Sequence, residues 1–226
     1  MFGQANRFFP GAMFVTAAVT ALGVSTSASA DIINIFGDTA NSSEGLADFS
    51  GTLSYNFVLG NMGVLTVDLT NMTVFPANGE DDVGGYLTGF IFNVDSIDPD
   101  VSGVLTSTTA MFFEDAQNQM AGPFMGPYLA GASLAGTWLD GGNPIRGLGI
   151  GESGTFTFDI TASDANSLTA ADFVLNGPLD FNFLVRFRGL GADGEFSDMV
   201  PATPAPGALA LLALGALAQR RRRRSA

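Results

Sequence analysis

Three aspartates within six residues, Asp95, Asp98 and Asp100 in the stretch NVDSIDPD, are the group best placed to do chemistry in this sequence. Alternating carboxylates after a strand can supply the hard oxygen ligands that Ca²⁺ takes, and Pro99 stiffens the turn that carries them. The stretch lacks the glycine and terminal glutamate of a helix–loop–helix calcium loop at their required offsets. Two readings therefore stand, a Ca²⁺ site or an Asp-rich turn. The other acidic groups read as solvated. Glu80, Asp81 and Asp82 are consecutive, so their side chains cannot converge. Asp193, Glu195 and Asp198 sit in a glycine-containing stretch that reads as linker.

Most other chemistry is excluded by composition. Gly149, Gly151 and Gly154 match G-x-G-x-x-G, but that motif holds a dinucleotide only between a strand and a helix N-terminus. Here it runs straight into TFTFDIT, a strand pattern, so the glycines read as a turn. Ser153 sits in G-x-S-G spacing, one residue short of a nucleophile elbow. A serine nucleophile also needs a base, and the chain has no His and no Lys. Without His or Cys, thiol catalysis and the usual zinc sites are absent too. Two carboxylates alone can hydrolyse a glycoside, but nothing in the sequence singles out a pair. The expectation is a non-catalytic protein, with no cofactor beyond the Ca²⁺ of the first reading.

The elements that must position these residues are strands. In FSGTLSYNFVL, Phe49, Gly51, Leu53, Tyr55, Phe57 and Leu59 fall on one face and Ser50, Thr52, Ser54 and Asn56 on the other. Leu65, Val67 and Leu69 alternate with Thr66, Asp68 and Thr70 in the next run, after a hairpin at Gly60-Asn61-Met62-Gly63. The same period places Tyr86, Thr88, Phe90, Phe92 and Val94 inward, then Phe156, Phe158 and Ile160, then Phe181, Phe183, Val185 and Phe187. Arg186 and Arg188 point outward. A weaker strand is expected over Val104 to Phe113, and SLTAADFVL could hold one helical turn. Short strands with Gly, Asn and Asp turns predict an all-β fold, an antiparallel β-sandwich or jelly roll of seven to nine strands. Residues 115–150, with Phe124, Tyr128, Leu134 and Trp138, fit least well. They read either as a ligand-binding loop at a sandwich end or as a cover strand with Trp138 capping the core.

The two ends of the chain read as addresses. Arg7, the apolar run from Ala12 to Val24, and Ala28-Ser29-Ala30 have the order of a secretory signal peptide, with cleavage expected after Ala30. The domains expected are thus 1–30 as signal, 31–199 as exported β-domain and 200–226 as tail. All 22 acids lie in the middle part against Arg146, Arg186 and Arg188, a formal charge of −19. Such a surface repels nucleic acid and anionic polymers and is poorly suited to an anionic membrane. Bridging divalent cations could still join it to polyanions, and a salty exterior would screen its charge. The tail has Val200-Pro201, then Pro204-Ala205-Pro206, then a 12-residue apolar run including Gly207, Leu211, Leu214 and Ala218. Arg220, Arg221, Arg222, Arg223 and Arg224 follow. Twelve helical residues span about 18 Å, short of a hydrocarbon core of about 30 Å. The arginines would stay on the cytoplasmic side, so the run suits a transient halt, although an ordinary tail anchor has the same order of parts.

These three parts in order resemble the PEP-CTERM sorting signal, over about 27 of the 226 residues. Where that family usually has Glu between the prolines, this chain has Ala205. The resemblance implies signal peptidase and an exosortase-type enzyme as processing partners, membrane contact only through the tail, and delivery to the cell surface or extracellular matrix. The expected role is structural or adhesive. The alternative is a module that binds extracellular polysaccharide, with or without Ca²⁺, through the Trp138 loop. Trp138 and Tyr128 exposed beside a groove would favour binding; a buried Trp138 would favour the structural role.

Overall fold

The computed structural model describes residues 30–74, 85–117, 119–120, 127–139, 142–175, 181–191 and 193–205. The signal segment up to residue 29, the Glu80-Asp81-Asp82 triplet, Phe124, and the tail from Pro206 through the apolar run and the arginines lie outside them. Among the described residues no helix is long and apolar enough to cross a membrane.

The fold is an antiparallel β-sandwich. One sheet holds β1 (Asp31–Gly37), β2 (Phe49–Leu59), β3 (Met62–Asn71), β5 (Ser102–Thr108), β10 (Ser153–Thr161) and β13 (Thr203–Pro204), in the order β13-β1-β2-β3-β10-β5. The second holds β4 (Tyr86–Phe92), β6 (Phe113–Asp115), β9 (Ala130–Leu134), β11 (Phe183–Leu190) and β12 (Phe196–Pro201), in the order β12-β11-β4-β9-β6. A small ribbon pairs β7 (Gln119–Met120) with β8 (Pro127–Tyr128). We call the two sheets A and B. They contain eleven described strands rather than seven to nine. The additional ones include β1, which follows Ala30 directly, and β12 and β13, whose acids and prolines hide the alternation.

Alternation places most of the core as expected on sheet A, where Leu53, Leu65, Val67, Leu69, Phe156, Phe158 and Ile160 are fully buried. Leu59, expected inward, is exposed because the register shifts between Phe57 and Leu59. On sheet B the phase shifts. Gly89 pairs with Arg186 and Leu87 with Phe187, so Thr88 is an extra residue in a bulge. The bulge turns Leu87 into the core in place of Tyr86 and Thr88, while the Thr88 hydroxyl donates to the Arg186 carbonyl. Phe181 precedes its strand and is partly exposed. The single strand expected over Val104–Phe113 is two strands, β5 in sheet A and β6 in sheet B, because Thr109 to Phe112 form a turn that crosses between them. SLTAADFVL does hold one turn, a 3-10 helix at Ala170–Phe173. Its first N–H, on Ala170, donates to the Asp31 carboxylate at 3.0 Å.

Phenylalanines lock the sheets together. Across the sheets Phe90 meets Phe156 edge-on at 4.8 Å between centroids and Phe92 meets Phe158 at 5.0 Å and 90°, while within sheet B Phe90 stacks on Phe183 at 5.5 Å. Each such pair adds about 1 kcal/mol to the burial itself.

The stretch read as an acidic linker belongs to the fold. Asp193 and Glu195 are exposed, but Asp198 is buried within β12. One of its oxygens accepts the Ser43 hydroxyl at 3.0 Å and the Glu44 N–H at 2.9 Å. The other accepts the N–H groups of Leu46 at 2.8 Å and Ala47 at 3.0 Å. Three main-chain donors and a hydroxyl satisfy a carboxylate that would otherwise be costly to bury. Its neighbours in sequence are polar and acidic, so nothing local marks the one acid that faces inward. Replacing Asp198 with Ala strands these donors, and we expect a loss of about 3 kcal/mol, read as a lower urea midpoint at unchanged slope.

Candidate functional site

The acidic turn after β4 is built to hold its own loops. Asp98 accepts the N–H of Ser163 at 2.6 Å through one oxygen and that of Asp100 at 3.0 Å through the other. Asp164 answers from the opposite loop, accepting the Ser96 hydroxyl at 2.5 Å and the Ile97 N–H at 3.0 Å. The two carboxylates thus cross-link residues 96–100 to residues 163–164. Asp95 is exposed, its N–H donating to the Asp172 carbonyl at 2.9 Å. Among the described residues no three Asp or Glu come together in an arrangement that could hold a metal ion. The tyrosine beneath this turn is locked as well. The Tyr55 hydroxyl donates to the Ala165 carbonyl at 2.8 Å, and burial, with Asp164 nearby, pushes its pKa up to about 12.

The aromatic loop is a cover. Trp138 and Tyr128 are both buried and pack with Ile91 and Leu184 against the outer face of sheet B. The Tyr128 hydroxyl donates to the Phe181 carbonyl at 2.7 Å, and burial raises its pKa. Asn93 ties down the same segment: its amide nitrogen donates to the Pro127 carbonyl and its oxygen accepts the Leu129 N–H. Arg186 and Arg188 reach from the outer face of β11 to the carbonyls of Trp138 and Gly142, so both hold this cover in place. Arg146 is exposed, 4.9 Å from the Phe112 ring centroid. Neither Trp138 nor Tyr128 offers an exposed ring to a ligand, which argues against the expected binding through the Trp138 loop and favours a structural role for that loop. The glycine motif is the expected turn: the Gly149 N–H donates to the Glu152 carboxylate at 2.8 Å, Gly151 takes φ +75°, and β10 follows.

Among the described residues, the outer face of sheet A stays open. There the outward residues of the strands line up in rows across the sheet. Asn34, Thr52, Asp68 and Thr155 form one row; Ile32, Ser54, Thr66, Thr157 and Ser107 form the next; Phe36, Ser50, Thr70 and Ser153 form a third. The strands stand about 4.8 Å apart and outward residues repeat about every 6.8 Å along each, so the hydroxyls form a near-regular lattice. Asp68 is its charged centre, accepting the Thr52 hydroxyl at 3.2 Å and the Thr155 hydroxyl at 2.5 Å. Beside it the hydroxyls of Thr70 and Ser153 are 2.7 Å apart. Period two makes these positions visible in the sequence. That they form one continuous surface depends on strand order, which is not.

The chain matches no protein-family model, and no curated protein matches it either. Two solved structures are similar to it, both biomass-sensing modules of Rsgi-like proteins from Clostridium thermocellum, described as resembling the family 3 carbohydrate-binding module of the cellulosome. The first is 9% identical over 74% of this chain and 97% of that one, with a TM-score of 0.30. The second, from the Rsgi2 protein, is 10% identical over 75% and 96%, also at 0.30.

The loop cross-link has a pH signature. Main-chain N–H donors hold the Asp98 pKa below the ordinary 3.8. A carboxylate with a lower pKa folded than unfolded contributes stability that is full above the unfolded value and is lost as pH falls through the folded one. The wild-type melting temperature therefore falls more steeply below about pH 4 than that of Asp98→Asn, which has no titrating group there. Parallel acid melts of the two proteins measure the difference.

Proposed function

We propose that this chain is an exported, non-catalytic β-sandwich that binds neutral extracellular polysaccharide through the outer face of sheet A. The observation that carries this reading is the lattice of Ser, Thr and Asn side chains around Asp68, spread over β1, β2, β3, β10 and β5. Hydroxyls both donate and accept, and an ionised carboxylate accepts strongly, which is what a polymer of hydroxyl groups requires of its partner. The face is a sheet rather than a cleft. A small sugar would bury too little of itself there, whereas an extended chain or the surface of a polysaccharide particle can engage several strands at once. Five strands at about 4.8 Å give a width of roughly 20 Å. The net charge of −19 over residues 31–199 selects against anionic polymers.

The ends of the chain complete the proposal. The N-terminal segment directs export, with Ala30 as the last residue removed, and the C-terminal tail is read by an exosortase-type enzyme that leaves the domain at the cell surface or in its matrix. The strand that starts at Asp31, immediately after that cleavage point, supports the first part. The arrangement of the tail, with its proline motif, apolar run and arginine cluster, supports the second.

The test is depletion of the purified full-length chain by insoluble neutral glucan or chitin, alongside soluble anionic alginate. Binding to a neutral polymer and none to alginate is expected. Thr66→Arg, in the middle of the lattice, weakens that binding about tenfold or more without lowering the melting temperature. Ile97→Ser, on an exposed loop, leaves it unchanged. Absence of binding to every neutral polymer, or binding that Thr66→Arg does not alter, rejects the reading.

A further inference from the structure

The residues read as the proline part of a sorting tail are woven into the sandwich. Val200 is fully buried in the core, and Pro201 and Pro204 are buried with it. Between them Ala202 carries the chain from sheet B to sheet A, its N–H donating to the Phe183 carbonyl at 2.9 Å. On sheet A the Thr203 hydroxyl donates to the Phe36 carbonyl at 3.2 Å, and the Ala205 N–H donates to the Asn34 carbonyl at 2.9 Å.

Register explains why prolines are tolerated here. Ala202 is hydrogen-bonded to Phe183, so Pro201, opposite Leu184, occupies the intervening position whose N–H points away from the partner strand. Likewise Ala205 bonds to Asn34, which puts Pro204, opposite Ile35, at the position that needs no donor. Both strands lie at sheet edges, so each proline also blunts an edge that could recruit another strand. Gly37 closes the joint: a Cβ there would collide with the Phe49 ring, Val200 and the Pro201 carbonyl.

We propose that residues 200–205 form a folded clasp that withholds its own peptide bonds from proteolysis, so that an enzyme trimming this C-terminus cuts beyond Ala205. The proposal rests on the processing reading above and refines it by placing the cleavage. Proteases take their substrates extended, and cleavage within 200–205 would require β12 and β13 to be drawn out of both sheets. Cleavage itself breaks one peptide C–N bond; in hydrolysis the hydroxyl of water goes to the carbonyl carbon and the proton to the departing amine. The folded domain, through the clasp, therefore sets the earliest possible mature C-terminus.

Two measurements test this. First, the full-length chain in mild detergent is digested with a broad-specificity protease and the resistant core is weighed by intact mass. A core ending at or after Ala205 is expected, and one ending between residues 199 and 204 overturns the clasp. Pro204→Gly restores chain freedom at the edge and speeds cutting within 200–205 about fivefold; an unchanged rate overturns the clasp as well. Second, the chain is recovered from its native host and its C-terminus determined. A terminus at Ala205 or beyond, short of Ala226, is expected, and one within 200–204 overturns the placement. A chain recovered intact to Ala226 overturns the processing reading and the placement with it, while the protease digestion still decides the clasp.

Discussion

The contact of phenylalanine rings between the two sheets is the interaction on which the rest of this protein depends. The chain has no cysteine, so no covalent link joins the layers. Phe156 and Phe158 of β10 meet Phe90 and Phe92 of β4, and Phe183 of β11 stacks against both of the latter. Phe113 and Phe173 extend the contact from β6 and from the 3-10 helix. Rings of this size bury much apolar area for few rotatable bonds, and their edge-to-face geometry fixes how the sheets sit on one another.

Once the sheets are locked, their outer faces have different fates. The outer face of sheet B is apolar enough, through Ile91 and Leu184, to need a cover, and Tyr128 and Trp138 supply it. Arg186 and Arg188 hold that cover by its carbonyls. The outer face of sheet A carries mainly hydroxyls, amides and carboxylates that water satisfies, with Ile32 and Val104 exposed among them, and among the described residues it has no cover. The aromatic loop, which looks in sequence like a ligand site, is thus spent on packing, and the plain threonine positions are what the fold presents to the outside.

Carboxylates take the place of other cross-links at both ends. Asp198 gathers the loop between β1 and β2, Asp98 and Asp164 join two loops at the far end, and Asp31 caps the 3-10 turn. Each works because a carboxylate can accept several N–H groups that a loop leaves without partners. The acidity of the domain is therefore partly architectural. The three acids of NVDSIDPD divide accordingly: Asp98 staples, while Asp95 and Asp100 remain exposed.

Hydrophobic period alone determined the fold class, the inward residues of β3, β10 and, apart from Leu59, β2, and the Ser and Thr positions opposite them, because side-chain direction in a regular strand is a local property. Composition alone removed His-, Lys- and Cys-based chemistry. Tertiary structure decided whatever depends on a partner distant in sequence. The Thr88 bulge, which moves Leu87 inward, is set by pairing with β11. The burial of Asp198 is set by a loop some 150 residues away in sequence. Trp138 became a cover because sheet B had an apolar outer face to offer it. The hydroxyl lattice exists because β10, late in the chain, inserts beside β3 and joins Thr155 and Thr157 to Asp68 and Thr66. Val200 to Ala205 entered the sandwich for the same reason: prolines that end a strand pattern in sequence are acceptable on an edge, and only strand order says where the edges are.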